Sequence, residues 1–169
     1  MMKIANRNII RKMASLSGVA IFLLSSLACS RIEKVEYSRF YDFGRRGWDP
    51  VECLEFNPWP ADSVMHPGDK FDIILCVRYS GKCRLRELPL RIEQVSLSQA
   101  PDTLSLSIPL FTSSGGRRGK GPYTVYEITD TIVRSVSLSE GYTLTLFNPL
   151  DARATAGITN IGLILSNPQ

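Results

Sequence analysis

From residue 70 to residue 165 the chain is written largely in period two. "KFDIILCVRY" (70–79), "LRIEQVSLS" (90–98), "TLSLSI" (103–108), "YTVYEI" (123–128), "TIVRSVSL" (131–138), "YTLTLF" (142–147) and "NIGLIL" (160–165) are rich in β-branched and aromatic residues, and several alternate apolar with polar. Successive side chains on a strand point to opposite faces, so this pattern gives one face to a core and the other to water. Between these runs lie "SGK", "APD", "SSGG", "EG" and "NP", the residue types that end strands and reverse a chain. No segment carries the periodicity of an amphipathic helix. With "VECLEF" (51–56) included, the reading is all-β: an antiparallel β-sandwich of about eight strands, jelly-roll or immunoglobulin-like. A barrel is the runner-up, and unequal strands with varied connections favour two sheets.

The amino-terminal segment obeys a different grammar. Lys3, Arg7, Arg11 and Lys12 precede an apolar stretch from about Leu16 to Leu27, and no acid interrupts it. The stretch is shorter than the ~20 residues a spanning helix needs, so it reads as a removable signal. "LLSSLACS" (23–30) places Cys29 just after the small Ala28. Ser26-Leu27-Ala28-Cys29 resembles a bacterial lipobox, in which the cysteine sulfur takes a diacylglyceryl group before the chain is cut. Ordinary secretory cleavage, or an uncleaved anchor with an incidental cysteine, is the alternative. The expected organisation is a signal peptide at 1–28, a lipidated tether at 29–40 and a sandwich domain at 41–169, palmitate-type acylation at Cys29 fixing the protein to a membrane.

Loss of the signal alters the charge argument. Four of the 20 Lys and Arg lie in residues 1–28, leaving 16 against 16 Asp and Glu, so a formal charge of +4 falls to about zero. That balance gives no reason to expect a nucleic-acid partner. Cys53, Cys76 and Cys83 remain; Cys76 and Cys83 flank "VRYSGK", where a hairpin would bring them together, and burial as small core residues is the other reading. No CxxC spacing is present and His66 is the lone histidine, so neither a metal nor a cofactor is expected.

"SSGGRRGKG" (113–121) superficially resembles a phosphate-binding loop, yet Ser114 replaces its first glycine, Gly121 its Ser or Thr, and a strand follows. The glycines fit an irregular loop with positive φ, leaving Arg117, Arg118 and Lys120 solvated; anion or partner binding there is the secondary reading. A nucleophile-histidine pair would have to use His66, and Asp42, Asp49, Glu52 and Glu55 are scattered acids, so no enzyme is expected. The aromatics Tyr37, Phe40, Tyr41, Phe43, Trp48, Phe56 and Trp59 either close the core or stack on sugars, which marks Trp48 and Trp59 as candidate ligand contacts. In "GITNIGLILSNPQ" (157–169), Ile158, Ile161, Leu163 and Leu165 predict a terminal strand pinned in the sandwich, with Gly157 and Gly162 permitting close backbone approach.

Set side by side, the lipobox cysteine, Gly47-Trp48, "VRYSGKCRLRELPL" (77–90), "DTLSLSIPL" (102–110), "GGRRGKGPYTVYE" (115–127), "EGY" (140–142) and "GITNIGLIL" (157–165) resemble the gliding-motility lipoprotein H family across nearly the whole mature chain. The resemblance implies a small lipoprotein of the bacterial cell envelope, linked in gliding species to surface-motility machinery and its associated protein secretion, with relatives also in species that do not glide; with no recognisable catalytic set, the expected role is noncatalytic docking on envelope protein partners. Where the family pattern has an aromatic residue between glycines in the central loop, this chain has Arg117-Arg118. The run Ser30–Lys34 is mixed in charge and lacks a dense acidic cluster, which favours an outer-membrane anchor facing the periplasm. The alternative function is a glycan- or cell-wall-binding sandwich.

Overall fold

The computed structural model describes residues 35–58, 69–96, 99–121, 124–138 and 141–168. Eight strands form in it: β1 (Val35–Asp42), β2 (Leu54–Phe56), β3 (Phe71–Ser80), β4 (Glu87–Ser96), β5 (Gln99–Pro109), β6 (Val125–Val136), β7 (Thr143–Phe147) and β8 (Ile158–Ser166). They build two antiparallel sheets of four, in the orders β1-β8-β3-β6 and β2-β7-β4-β5. The pairs nest, β1 on β8, β2 on β7, β3 on β6 and β4 on β5, and successive pairs alternate between the sheets. That winding is a jelly roll, one of the two sandwich connections expected, and the barrel is excluded.

Period two does the packing. In β3 the inward series Phe71, Ile73, Leu75, Val77 and Tyr79 is buried, and β8 sets Ile161, Leu163 and Leu165 beside it. The second sheet answers with Leu88, Leu90 and Ile92 from β4, Leu144 and Leu146 from β7, and Leu54 and Phe56 from β2. The terminal strand lies between β1 and β3, as its apolar pattern predicts. Gly162 accommodates the Phe40 ring: a Cβ there would stand 2.3 Å from it. Arg78 lies 4.6 Å from the centroid of that ring and pairs with Glu127 at 2.5 Å. Opposite Gly162, the buried Cys76 has its thiol pushed up to about 12 by desolvation, the Glu127 carboxylate adding to the effect.

The count of eight strands is correct for partly wrong reasons. The tether assigned to 29–40 contains most of β1, so the sandwich starts at Val35 rather than at residue 41. "VEYSRFYD" conceals a strand because its edge position tolerates polar residues on both faces: Tyr37 and Tyr41 pack on the core while Ser38 and Arg39 are exposed. The parts of the runs 123–128 and 131–138 between Val125 and Val136 belong to one long strand, β6, in which Thr129 and Asp130 continue the pairing with Cys76 and Leu75. "APD" does not end a strand, for Ala100, Pro101 and Asp102 lie within β5. Residues 51–53 precede β2 in a turn. Pro89 sits within β4 where β5 pairs with it and β7 does not, since β7 first meets β4 at Arg91.

Antiparallel register fixes which loops share an end. Asp42 faces Asn160, Ser80 faces Val125 and Glu87 faces Pro109 at one end, whereas Val35 faces Ser166 and Phe71 faces Val136 at the other. Segments 43–53, 81–86, 110–121 and 148–157 therefore gather at the first end, and the chain enters the sandwich at the second.

Candidate functional site

Two loop pairs occupy the gathered end. The first joins 43–53 to 148–157 around Trp48, which is fully buried and stacks on Phe43 with ring centroids 5.5 Å apart. Its indole Nε1 donates to the Glu52 carbonyl at 2.8 Å. Asn148 Nδ2 donates to the Trp48 carbonyl at 2.9 Å, and the Trp48 amide donates to Thr155 Oγ1 at 3.0 Å. Gly47, at φ +81°, makes this closure possible, because a Cβ would fall 2.4 Å from the Ala152 carbonyl oxygen. Trp48 is thus a core residue and not an exposed sugar platform, as are Phe43 and Phe56. Trp59, Cys29 and His66 lie outside the described residues.

Each of the scattered carboxylates has a local partner, and Asp42 and Glu52 line one concavity. Asp42 Oδ1 accepts from the Gly44 amide at 2.7 Å, Asp49 Oδ1 from the Val51 amide at 3.0 Å, and Glu55 Oε1 from Asn57 Nδ2 at 3.3 Å. Glu52 pairs with Arg46 at 2.8 Å. A concavity of about 390 Å³ opens beside this pair, lined in part by Tyr41, Val51 and Cys53. Among the described residues no three His, Cys, Asp or Glu side chains come close enough to hold a metal ion.

The second loop pair joins 81–86 to 110–121, and its fastener is Arg117. The guanidinium donates through Nη1 to the Cys83 carbonyl at 3.0 Å and through Nη2 to the Gly81 carbonyl at 2.5 Å. It also lies over three rings, 4.9 Å from the centroid of Phe111, 5.6 Å from Tyr126 and 6.0 Å from Tyr79. Arg117 is therefore not the solvated cation expected from the sequence. Beneath it the Tyr79 hydroxyl donates toward the Leu110 and Arg118 carbonyls, and Leu110 donates its amide to the Arg86 carbonyl at 2.8 Å. Gly119, at φ +95°, lets the loop turn against β6, where Lys120 and Glu127 exchange backbone hydrogen bonds at 3.0 and 2.9 Å.

This fastening holds segment 81–86, with Lys82, Arg84 and Arg86, against segment 110–121, with Arg118 and Lys120, and all five of these side chains are exposed. Arg118 additionally donates through Nη1 to the Pro109 carbonyl at 3.1 Å. Arg118 and Lys120 line a concavity of about 300 Å³ together with Gly119, Glu127, Ile128 and Thr129. The adjacent carboxylates are engaged: Glu127 holds Arg78, and Glu87 accepts from Ser107 Oγ at 3.1 Å. Lys82, Arg84 and Arg86 are not among the site residues expected from the sequence, although their spacing in "GKCRLR" puts three cations on alternate positions. Cys83 in the same turn is buried with its thiol raised by desolvation; it and Cys76 are both free, as is the exposed Cys53. Compared with protein-family models, curated proteins and solved structures, the chain matches none of them.

Proposed function

We propose that this chain is a noncatalytic, lipid-anchored component of the bacterial cell envelope that works by docking on protein partners. The observation that carries the reading is polarity of the fold. The chain enters the sandwich at Val35, six residues after Cys29, while four loop segments gather at the opposite end. A lipid on Cys29 holds the domain by one end and leaves a rigid, hydrogen-bonded loop surface for partners at the other. The signal-like residues 1–28, the lipobox and the resemblance to the gliding-motility lipoprotein H family support an outer-membrane anchor facing the periplasm and a part in motility or secretion machinery. The glycan-binding alternative loses one of its two candidate indoles at Trp48, which is spent on Phe43 and the Glu52 carbonyl, while Trp59 lies outside the described residues.

Affinity isolation of the chain from crosslinked native envelopes tests the proposal. A defined set of co-purifying envelope proteins is expected, and repeated recovery of the chain alone under mild conditions refutes it. Membrane fractionation of Cys29→Ala tests the anchor: release into the soluble fraction is expected, and detergent-dependent retention sinks the lipidation reading.

A further inference from the structure

The mature chain is close to neutral, yet six of its 16 cationic residues fall in segments 81–86 and 117–120, which Arg117 clamps together. We infer that the exposed cations of this end, Lys82, Arg84, Arg86, Arg118 and Lys120, form a docking surface for an acidic segment of a protein partner. The inference rests on the proposed docking function and names its surface and the chemistry of its partner.

Three observations carry it. First, among the described ion pairs none involves these five residues, and Glu127, the carboxylate that shares a concavity with Arg118 and Lys120, is paired with Arg78. Like charges brought together repel, and a fold tolerates that at a site where an anion relieves it. Second, the loops are held rather than loose, since backbone bonds tie Leu110 to Arg86, Gly81 to Thr124 and Lys120 to Glu127. Cations on a fixed frame lose less freedom on binding than cations on a mobile one. Three of the five are arginines, whose planar donors suit carboxylates.

Third, position and chemistry choose among anions. The surface lies at the opposite end of the sandwich from Val35, where the tether joins, so the membrane that holds the lipid is not the natural occupant. An acidic glycan is disfavoured because the rings of this loop pair, Tyr79, Phe111 and Tyr126, already carry Arg117, and Phe111 also carries Arg86. A carboxylate-rich protein segment needs no stacking platform.

The test uses the full lipidated chain in discs of uncharged lipid with a fluorescent polyglutamate peptide as probe. Binding that weakens as salt rises is expected, with on the order of tenfold loss in Arg84→Glu/Lys120→Glu and little change in Lys70→Glu at the opposite end. Equal losses in both variants, or no binding at low salt, overturn the site. Tighter binding to phosphatidylglycerol vesicles or to an acidic polysaccharide than to polyglutamate overturns the assignment to protein. In native envelopes, a photocrosslinking residue at Arg84 is expected to capture a partner that one at Glu55, on the outer face of β2, does not. Capture from position 55 alone removes this surface and leaves the docking function standing; capture from neither removes both.

Discussion

The two loop pairs at one end of the sandwich solve the same problem in opposite ways. Each bridges crossings between the sheets and must satisfy backbone groups that no strand serves. The Trp48 pair does so from inside: an indole stacked on Phe43, with Asn148 and Thr155 binding the Trp48 backbone. The Arg117 pair does so nearer the surface, with a guanidinium over three rings that hydrogen-bonds two carbonyls. Interior closure consumes its functional groups in stability, whereas closure by a charged side chain at the surface fixes a loop and keeps its neighbouring cations in water. The difference explains why a residue singled out for ligand binding, Trp48, is structural, while three that were not, Lys82, Arg84 and Arg86, are exposed cations of this end.

Breaking the interior closure has the largest expected effect. Trp48→Ala removes a fully buried indole and orphans the Glu52 carbonyl, so a loss of about 3–5 kcal/mol is expected by chemical denaturation. Against a typical total of about 5–15 kcal/mol, the variant should be barely folded. A loss below about 1 kcal/mol would contradict the account of Trp48 as the core of this loop pair.

Gly157 is where the two loop pairs touch, and a Cβ on it tests whether they are coupled. At φ +99° that atom would fall 2.7 Å from Cys83 Cα, and the Gly157 carbonyl accepts from the Ser80 amide at 2.7 Å. Gly157→Ala must move one segment off the other, which is expected to cost about 1–3 kcal/mol. Gly115→Ala, with positive φ and nothing within 4 Å, bears the strain alone and should cost less; equal losses would deny the close packing.

The surface closure is the weaker of the two. Arg117→Leu keeps apolar contact with the rings but removes the bonds to Gly81 and Cys83, for an expected loss of about 1–2 kcal/mol. Thermal melts of Arg117→Leu beside Trp48→Ala give the order directly, and a larger effect at Arg117 would invert the comparison.

Thiol labelling sharpens the contrast with the smallest energetic footprint. In a Cys29→Ala background, Cys53 should react with a water-soluble disulfide reagent in the native state, while Cys83, buried and with its thiol raised by desolvation, should wait for opening of the fold. Arg117→Leu is expected to speed labelling of Cys83 and leave that of Cys53 unchanged. Equal acceleration at both would mean that the loop pairs open together.

How much of this was legible in the sequence follows from the range of the forces involved. Period two is local, because each inward residue is two positions from the next, so β3, β4, β7 and β8 and the class of the fold could be read from "KFDIILCVRY", "LRIEQVSLS", "YTLTLF" and "NIGLIL". The close approaches at Gly157 and Gly162 were likewise written in their glycines. β1 was hidden, since an edge strand needs only one neighbour and "VEYSRFYD" finds its own in β8, more than a hundred residues away. β6 read as two strands because its polar positions look like a break unless β3 is known to run alongside. The cationic surface was beyond local reading for the same reason. "GKCRLR" and "GGRRGKG" are separate, modest clusters in a chain whose mature charge is near zero, and they become one surface only when β3 and β6 pair and Arg117 bonds across the resulting gap. Sequence sets the faces of each strand through side-chain alternation; which charges share a surface depends on contacts between distant segments, and those exist only once the sheets have closed.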